Sequence, residues 1–375
     1  LSVAPPSLYG ALEFPETVKE KNSFGATARL PAGQRYMLIQ QGGIALNTTL
    51  SVGAEIMDRV RVGAGFIWGV ASYKLANANM SVTPNQQADG TWLDPTTSDV
   101  RAELSVADWF MPGVTVGVLV SPLDVLDVGL NVVAQEAFDA HGDLETKANY
   151  WTNDGVSDNA ITSNSKDVEK GLGHFRIANP LEARLGARFH VPRGEDTDKV
   201  RDPLSDDLFD VELDVSYTRN SAYKRAMLRF PASPAVPVVG TPGAVPQNND
   251  VDFKVKSDTV GFRLGGDFVV LPSQLAVRAG GWWEPDVQDE QYANVAFLAS
   301  QRIGVAVGGT YRLDFIDIDV GYQHVFFATV DNHGDGKLLV VSGDPTYGFR
   351  SPYGINGGRF TQSANIFSIG GTARF

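Results

Sequence analysis

The sequence predicts an all-β fold: a transmembrane antiparallel β-barrel of about 14 strands, with short periplasmic turns and long extracellular loops. Three observations predict it. Apolar residues recur at every second position through segments of about ten residues or more, the period of a strand with one apolar and one polar face. These segments exceed the ~5–6 residues usual in soluble sandwiches and match the ~9–11 needed to cross a hydrocarbon layer. Short and long connections alternate along the chain, which gives a barrel one trimmed end and one elaborated end.

The first clear strand carries Ile44, Leu46, Leu50, Val52, Ala54 and Ile56 in one phase and Asn47, Thr49, Ser51 and Glu55 in the other. Past Asp58-Arg59, the residues Val60, Val62, Ala64, Phe66, Trp68 and Val70 alternate with Arg61, Gly63, Gly65 and Gly69. Leu126, Val128, Leu130 and Val132 oppose Asp127, Gly129, Asn131 and Gln135. Phe175, Ile177, Leu181, Ala183, Leu185, Ala187 and Phe189 read as one further strand, opposed by Arg176, Glu182, Arg184, Arg188 and His190. Charge at that density suits a wet barrel interior better than the outer face of a sandwich. Phe209 to Tyr217 and Ile316 to Phe326 repeat the pattern, with Asp210, Glu212, Asp214, Asp317 and Asp319 in the polar phase. Phe66, Trp68, Leu185, Val215 and Ile318 are therefore expected to face lipid, and Glu182, Arg184, Asp214 and Asp317 the lumen. Short turns are expected at Asp58-Arg59, Ser121 to Val125, Pro272-Ser273 and Leu313-Asp314, and long loops at 78–97, 139–173, 219–251, 285–301 and 330–365.

The 375 residues form a single domain, 1–375, with no linker-like break in composition. The absence of cysteine excludes disulfide scaffolds, thiolate zinc sites and cysteine nucleophiles. A net charge of −13 argues against nucleic-acid binding, which needs a basic surface. No apolar run approaches the ~18 residues of a spanning helix. The chain opens without a basic and apolar leader, so a signal peptide is expected to have been removed.

Catalytic chemistry is not expected, and no cofactor is. The five histidines (His141, His174, His190, His324, His333) are scattered, with no spacing that repeats a metal or triad pattern. His324 falls on the lipid-facing phase, which suits an interfacial side chain. Asp331-Asn332-His333-Gly334-Asp335-Gly336 has the flavour of a calcium loop, but Ser342 stands where the bidentate carboxylate belongs. Asp331 and Asp335 are thus either a calcium candidate or part of an ordinary polar loop.

Several segments resemble the FadL/TodX family of outer-membrane transporters for long-chain fatty acids and aromatic hydrocarbons. They are Leu46 to Tyr73, Ala102 to Val133, Phe24 to Gly33 (FGATARLPAG) and the closing strand Gly358 to Phe375, which ends on a C-terminal phenylalanine. The likeness spans most of the chain and rests on the order of loose glycine and proline spacings. It implies passive uptake of hydrophobic small molecules through a monomeric barrel set in outer-membrane lipid and glycolipid, with an apolar groove outside and sideways release at a strand kink. Gly25, Pro31 and Gly33 are the candidates for that kink, although glycine and proline at a strand end also make plain turns. The family's N-terminal plug and its Asn-Pro-Ala motif are missing, and counting back from Phe375 gives thirteen strands. Either a plug and one strand precede Leu1, or two strands are merged in the first forty residues.

The loops that could make the groove are those with apolar residues. Trp92 and Leu93 stand in one, Tyr150 and Trp151 in the next, and Phe230 to Val245, with Val238 and Val239, in a third. Exposed side chains of this kind bind something or cover the barrel mouth. The alternative function is a general diffusion porin for polar solutes, favoured by the Arg176, Arg184 and Arg188 row.

Overall fold

The computed structural model describes residues 2–4, 11–21, 27–79, 100–148, 166–194, 202–222, 225–230, 247–252, 254–341 and 350–373. Strands β1 (Ser2–Ala4) and β2 (Leu12–Glu13) pair antiparallel with β5 (Gln40–Met57). Between them β3 (Thr17–Lys21) and β4 (Thr27–Pro31) make a hairpin of their own, followed by a 3-10 turn at Gly33–Tyr36. β5 and β6 (Val60–Asn79) meet at the Asp58-Arg59 turn, and β6 pairs along nearly its whole length with β7 (Val100–Leu123).

The next four wall strands are each broken at one level. β8 (Leu126–Gln135) pairs with the half of β7 near the short turn, and β9 (Phe138–Ala148) with the far half. β10 (Lys166–Ile177) lies beside β9, and β11 (Glu182–Pro192) beside β8. β12 (Asp207–Thr218) follows β11, and β13 (Arg225–Phe230) follows β10. β14 (Gln247–Asp252) pairs with β13, and β15 (Thr259–Leu271) with β12. Pro180, which has no N–H to give a ladder, stands in one break. At another, Asp258 accepts bonds from Tyr217 Oη at 2.6 Å and Ser221 N at 2.8 Å. The breaks divide the wall into a lower half, towards the short turns, and an upper half.

β16 (Leu275–Glu284), β17 (Arg302–Leu313) and β18 (Ile316–Phe327) continue the sheet. Two small hairpin pairs follow, of β19 (Val330–Asp331) with β22 (Arg359–Phe360) and of β20 (Leu339–Val341) with β21 (Arg350–Gly354). β23 (Ser363–Ala373) then pairs with β18. Among the described residues the main sheet holds seventeen strand segments.

Register joins the apolar phase of each strand to that of the next. Direct partners run Val62, Val118, Leu130, Leu185, Val215, Phe262, Trp283, Ile303 and Phe326 across nine successive wall strands. Phe66, Trp68, Leu185 and Ile318 are exposed as expected, while Val215 is half-buried and Ile369 on β23 is 82% exposed. A belt of this extent is untenable in water and is the face a sheet turns to lipid. Glu182, Arg184, Asp214 and Asp317 occupy the other face, with Arg184 opposite Asn131 and Asp214 opposite Arg263.

The wall is taller than the expected loops allowed. Residues expected in the 139–173 and 219–251 loops form most of β9, β10 and β14, and all of β13. On β9 and the end of β10 the outer face carries Asp139, His141, His174 and Arg176, which hid these segments from a search for apolar alternation. The last short turn is Asp314-Phe315, with φ 48° at Asp314. The lower connection from β11 to β12 is longer than a turn. It carries helix α1 (Pro203–Asp206), whose Leu204 is buried against Val269 and Ala276.

At the upper end two buried asparagines tie the long loops together. Asn332 Nδ2 donates to Asn356 O at 2.7 Å, and its Oδ1 accepts from Gly358 N at 2.8 Å. Asn356 Nδ2 donates to Gln291 O and Ala293 O at 3.0 and 2.9 Å, and its Oδ1 accepts from Leu338 N at 3.0 Å. Asn356→Ala strands these partners, so at ~1 kcal/mol per bond about 3 kcal/mol of loop stability should go. Limited proteolysis should then cut within 285–301 or 328–341 faster in the variant, while heat-modifiable barrel migration stays unchanged.

On the outer side of the upper wall, Glu103 receives Lys74 Nζ at 2.6 Å and Arg101 Nη1 at 3.0 Å. Burial pushes its carboxyl up, but these cationic hydrogen bonds outweigh burial and hold it below the usual carboxylate value. A lowered folded value stabilises the native state above the unfolded carboxylate's range, and that contribution is lost as pH falls through the folded value. Protease resistance around 100–105 should therefore hold at neutral pH and decline only below about pH 4. Glu103→Gln should remove this acid-dependent component.

Candidate functional site

The strand β6 runs unbroken through both halves and fixes which face is which. Its even residues Val62, Phe66 and Trp68 are exposed on the lipid side, so its odd residues, from Arg61 and Gly63 below to Tyr73 in an upper apolar cluster, lie on the inner face. That face changes character with height.

Below the breaks it is charged. Arg188 reaches Asp210 at 2.6 Å and Asp207 at 3.2 Å. Asp207 faces inward because a register shift at Val191/Pro192 inserts an extra residue on β12. Glu284 joins Arg263 at 3.0 Å to Arg302 at 2.6 Å, and Arg278 lies between Asp267 at 3.3 Å and Asp319 at 3.6 Å. Arg312 holds Asp317 and, from the α1 connection, Asp202, each at 2.6 Å. Trp282 lies over Gly304, where any Cβ would overlap the indole, and Arg302 sits 6.0 Å from its ring. Among the described residues two cavities remain in this half: one of about 570 Å³, whose mixed wall sets Arg61, Asn131, Arg184 and Glu212 among apolar residues, and one of about 240 Å³ near α1.

Above the breaks the same face is apolar. Leu104, Val106, Met111, Phe138, Ala140, Leu144, Phe175 and Ala226 form one buried cluster, with Tyr73, Ile177, Val255 and Phe297 packed on it. Phe175 stacks on Tyr73 at 6.0 Å and meets Phe138 edge-on at 5.9 Å. Phe297 comes from the 285–301 loop, which folds back over the cluster. The outer face of the same strands carries Lys74, Arg101, Glu103, His141, His174 and Arg176, so polarity is inverted relative to the lower half.

This inversion corrects the reading of Phe175 to Phe189 as one strand in one phase. The break at 178–181 shifts the parity: Leu185 lies on the lipid face, whereas Phe175 and Ile177 point inward. Arg176 moves the opposite way. It stands on the outer face with Asp139, 3.5 Å from its carboxylate, and leaves the expected lumen row to Arg184 and Arg188. A second shift, where Trp109 and Phe110 are both exposed, flips β7 likewise.

The residues expected at the mouth are only partly visible. Trp92, Leu93, Tyr150, Trp151, Val238, Val239 and Gly25 lie outside the described residues. Phe230 ends β13 and Pro31 ends β4, and Gly33 opens the 3-10 turn with open space around its Cα. Asp331 Oδ1 accepts from His333 N at 2.9 Å in an ordinary Asx turn, and Asp335 N donates to Asn332 O. The apolar cluster itself was missed: Ala140, Leu144 and Ala226 sit in segments read as loops, Phe175 was expected on the lipid-facing phase, and Leu104, Val106, Met111 and Phe138 were assigned no face. Their own alternation, at Leu104/Val106 and Phe138/Ala140, was the available signal.

A family model described as outer membrane protein transport protein (OMPP1/FadL/TodX) matches residues 40–375. No curated protein matches the chain. A FadL homologue of Pseudomonas aeruginosa superposes with a TM-score of 0.61 at 14% identity, over 96% of this chain and 73% of that one. For the P. putida toluene transporter TodX the TM-score is 0.52 at 13% identity, over 88% and 72%. The CymD monoaromatic hydrocarbon channel gives 0.51 at 14%, over 83% and 72%. Likeness at such identities is one of fold, and the family match over most of the chain decides membership. The chain belongs to the OMPP1/FadL/TodX family of transport proteins, β-barrels of the bacterial outer membrane that move hydrophobic solutes and are not enzymes.

Proposed function

We propose that this transporter takes up a small hydrophobic solute, fatty-acid-like or aromatic, into the apolar chamber of the upper wall and releases it sideways into the membrane. The inversion of polarity carries the reading. A solute entering from outside meets Leu104, Phe138, Phe175 and Tyr73 rather than a charged lumen. Each methylene buried there contributes ~0.8 kcal/mol. Trp92, Leu93, Tyr150, Trp151, Phe230, Val238 and Val239 are proposed to gather the solute at the mouth. The bend for release is proposed near Gly25, Pro31 and Gly33, where the chain leads into β5. The barrel is proposed to close at 14 strands, as a monomer within lipid and glycolipid.

The rival reading is a porin for polar solutes, and the cavity holding Arg61, Arg184 and Arg188 favours it. One set of experiments separates the two. Phe138→Ser with Phe175→Ser should weaken binding of a hydrophobic probe by ~3–6 kcal/mol, from two buried aromatics. Trp92→Ala with Trp151→Ala should slow uptake without changing barrel folding. Liposomes holding the wild-type protein should pass small sugars no faster than empty ones. Free sugar flux, with probe binding indifferent to all four substitutions, would establish the porin instead.

A further inference from the structure

The upper wall brings together residues that are far apart in sequence. β9 and β10 pair so that His141 stands directly opposite His174, and Asp139 opposite Arg176. Alternation places Asp139, His141 and Asp143 on the outer face of β9, behind Phe138, Ala140 and Leu144. The two imidazoles stack with centroids 4.3 Å apart and planes 7° from parallel. His174 Nε2 contacts Asp139 Oδ1, while Arg176 Nε approaches the other carboxylate oxygen at 3.5 Å. One donor atom from each of Asp139, His141 and His174 lies within 4.8 Å of the other two.

That spacing is close to what a metal ion needs. Ligands at ~2.0–2.2 Å in a tetrahedron stand about 3.4 Å from one another, and the two stacked rings must turn out of their parallel arrangement to aim a nitrogen each at one ion. Two imidazoles and one carboxylate suit borderline divalent ions, whereas calcium and magnesium take oxygen donors. Arg176 binds Oδ2 and so steers Oδ1 towards the histidines, as a supporting partner does for a ligating carboxylate. Among the described residues this is the grouping of three ligating side chains whose donors converge. We propose that Asp139, His141 and His174 bind one divalent transition-metal ion of the zinc, nickel and copper class on the outer face of the upper wall. The ion clips β9 to β10 and leaves at least one coordination position open to solvent. Because Phe138, Ala140 and Phe175 are on the reverse of the same two strands, the clip stiffens the wall of the apolar chamber.

The proposal is independent of which solute is carried. Its test uses the untagged full chain in detergent, stripped with a chelator and titrated with zinc chloride by calorimetry, and with cobalt chloride by visible absorption. One ion should bind per chain, with d–d bands of a site containing nitrogen ligands. His141→Ala and His174→Ala should each weaken binding roughly tenfold or more, and His141→Gln and His174→Gln repeat the test should alanine impair folding, judged by heat-modifiable migration. Zinc should raise the midpoint of thermal unfolding of the wild type and leave the doubly substituted protein unmoved. Failure to saturate at one ion per chain, or equal affinity in folded histidine variants and wild type, overturns the site.

Discussion

A strand in hydrocarbon has no partner for its N–H and C=O groups except another strand, and this requirement organises the molecule. Long ladders satisfy it, from β5–β6 through β17–β18 to β23. Pairing also fixes register, and register fixes faces, since a slip of one residue would turn every apolar side chain away from lipid. The row from Val62 to Phe326 shows the result: each strand presents its apolar phase at the same height as its neighbours. The requirement lapses at the outer edge of the hydrocarbon, and the breaks and inverted polarity occur from that level upward.

Inversion at one level needs coordinated changes in several strands. In β7 the exposed pair Trp109 and Phe110 adds a residue against β6, so odd residues point inward below and even ones above. β8 and β9 exchange parity across Glu136-Ala137, and β11 and β10 across the stretch with Pro180. β6 keeps its parity throughout. Three adjacent strands thus switch together, and their inner residues meet as one cluster around Phe175. Had one of them kept its phase, it would have set a charged residue such as Arg176 into that cluster.

These switches explain how much was legible in the sequence. Wherever strands cross lipid on both sides of a short turn, period two named the element and its lipid face, as at Phe66, Trp68 and Ile318, and it did so at Leu185 beside a longer connection too. Reading the same phase onward through a break failed, because parity carries no information across an insertion of unknown length. Phe175 and Arg176 were misplaced for that reason. The pairing of His141 with His174 was hidden similarly: the residues are 33 positions apart, and only the register of β9 on β10 makes them neighbours. Asn332 and Asn356 gave no signal at all, since a buried asparagine latch looks like any polar loop.

The charged lower half has its own consequence for a hydrophobic solute in the chamber. Descent would place it among Arg263, Glu284, Arg302 and the aspartates around Arg278 and Arg312. It would forfeit ~0.8 kcal/mol for each methylene removed from apolar surroundings, and it would have to part ion pairs whose remaining charges would then be unpaired. Movement sideways into hydrocarbon carries neither cost. On the proposed route, the gradient that draws the solute in therefore turns at the level of the strand breaks, where the wall's hydrogen-bond ladders are already interrupted.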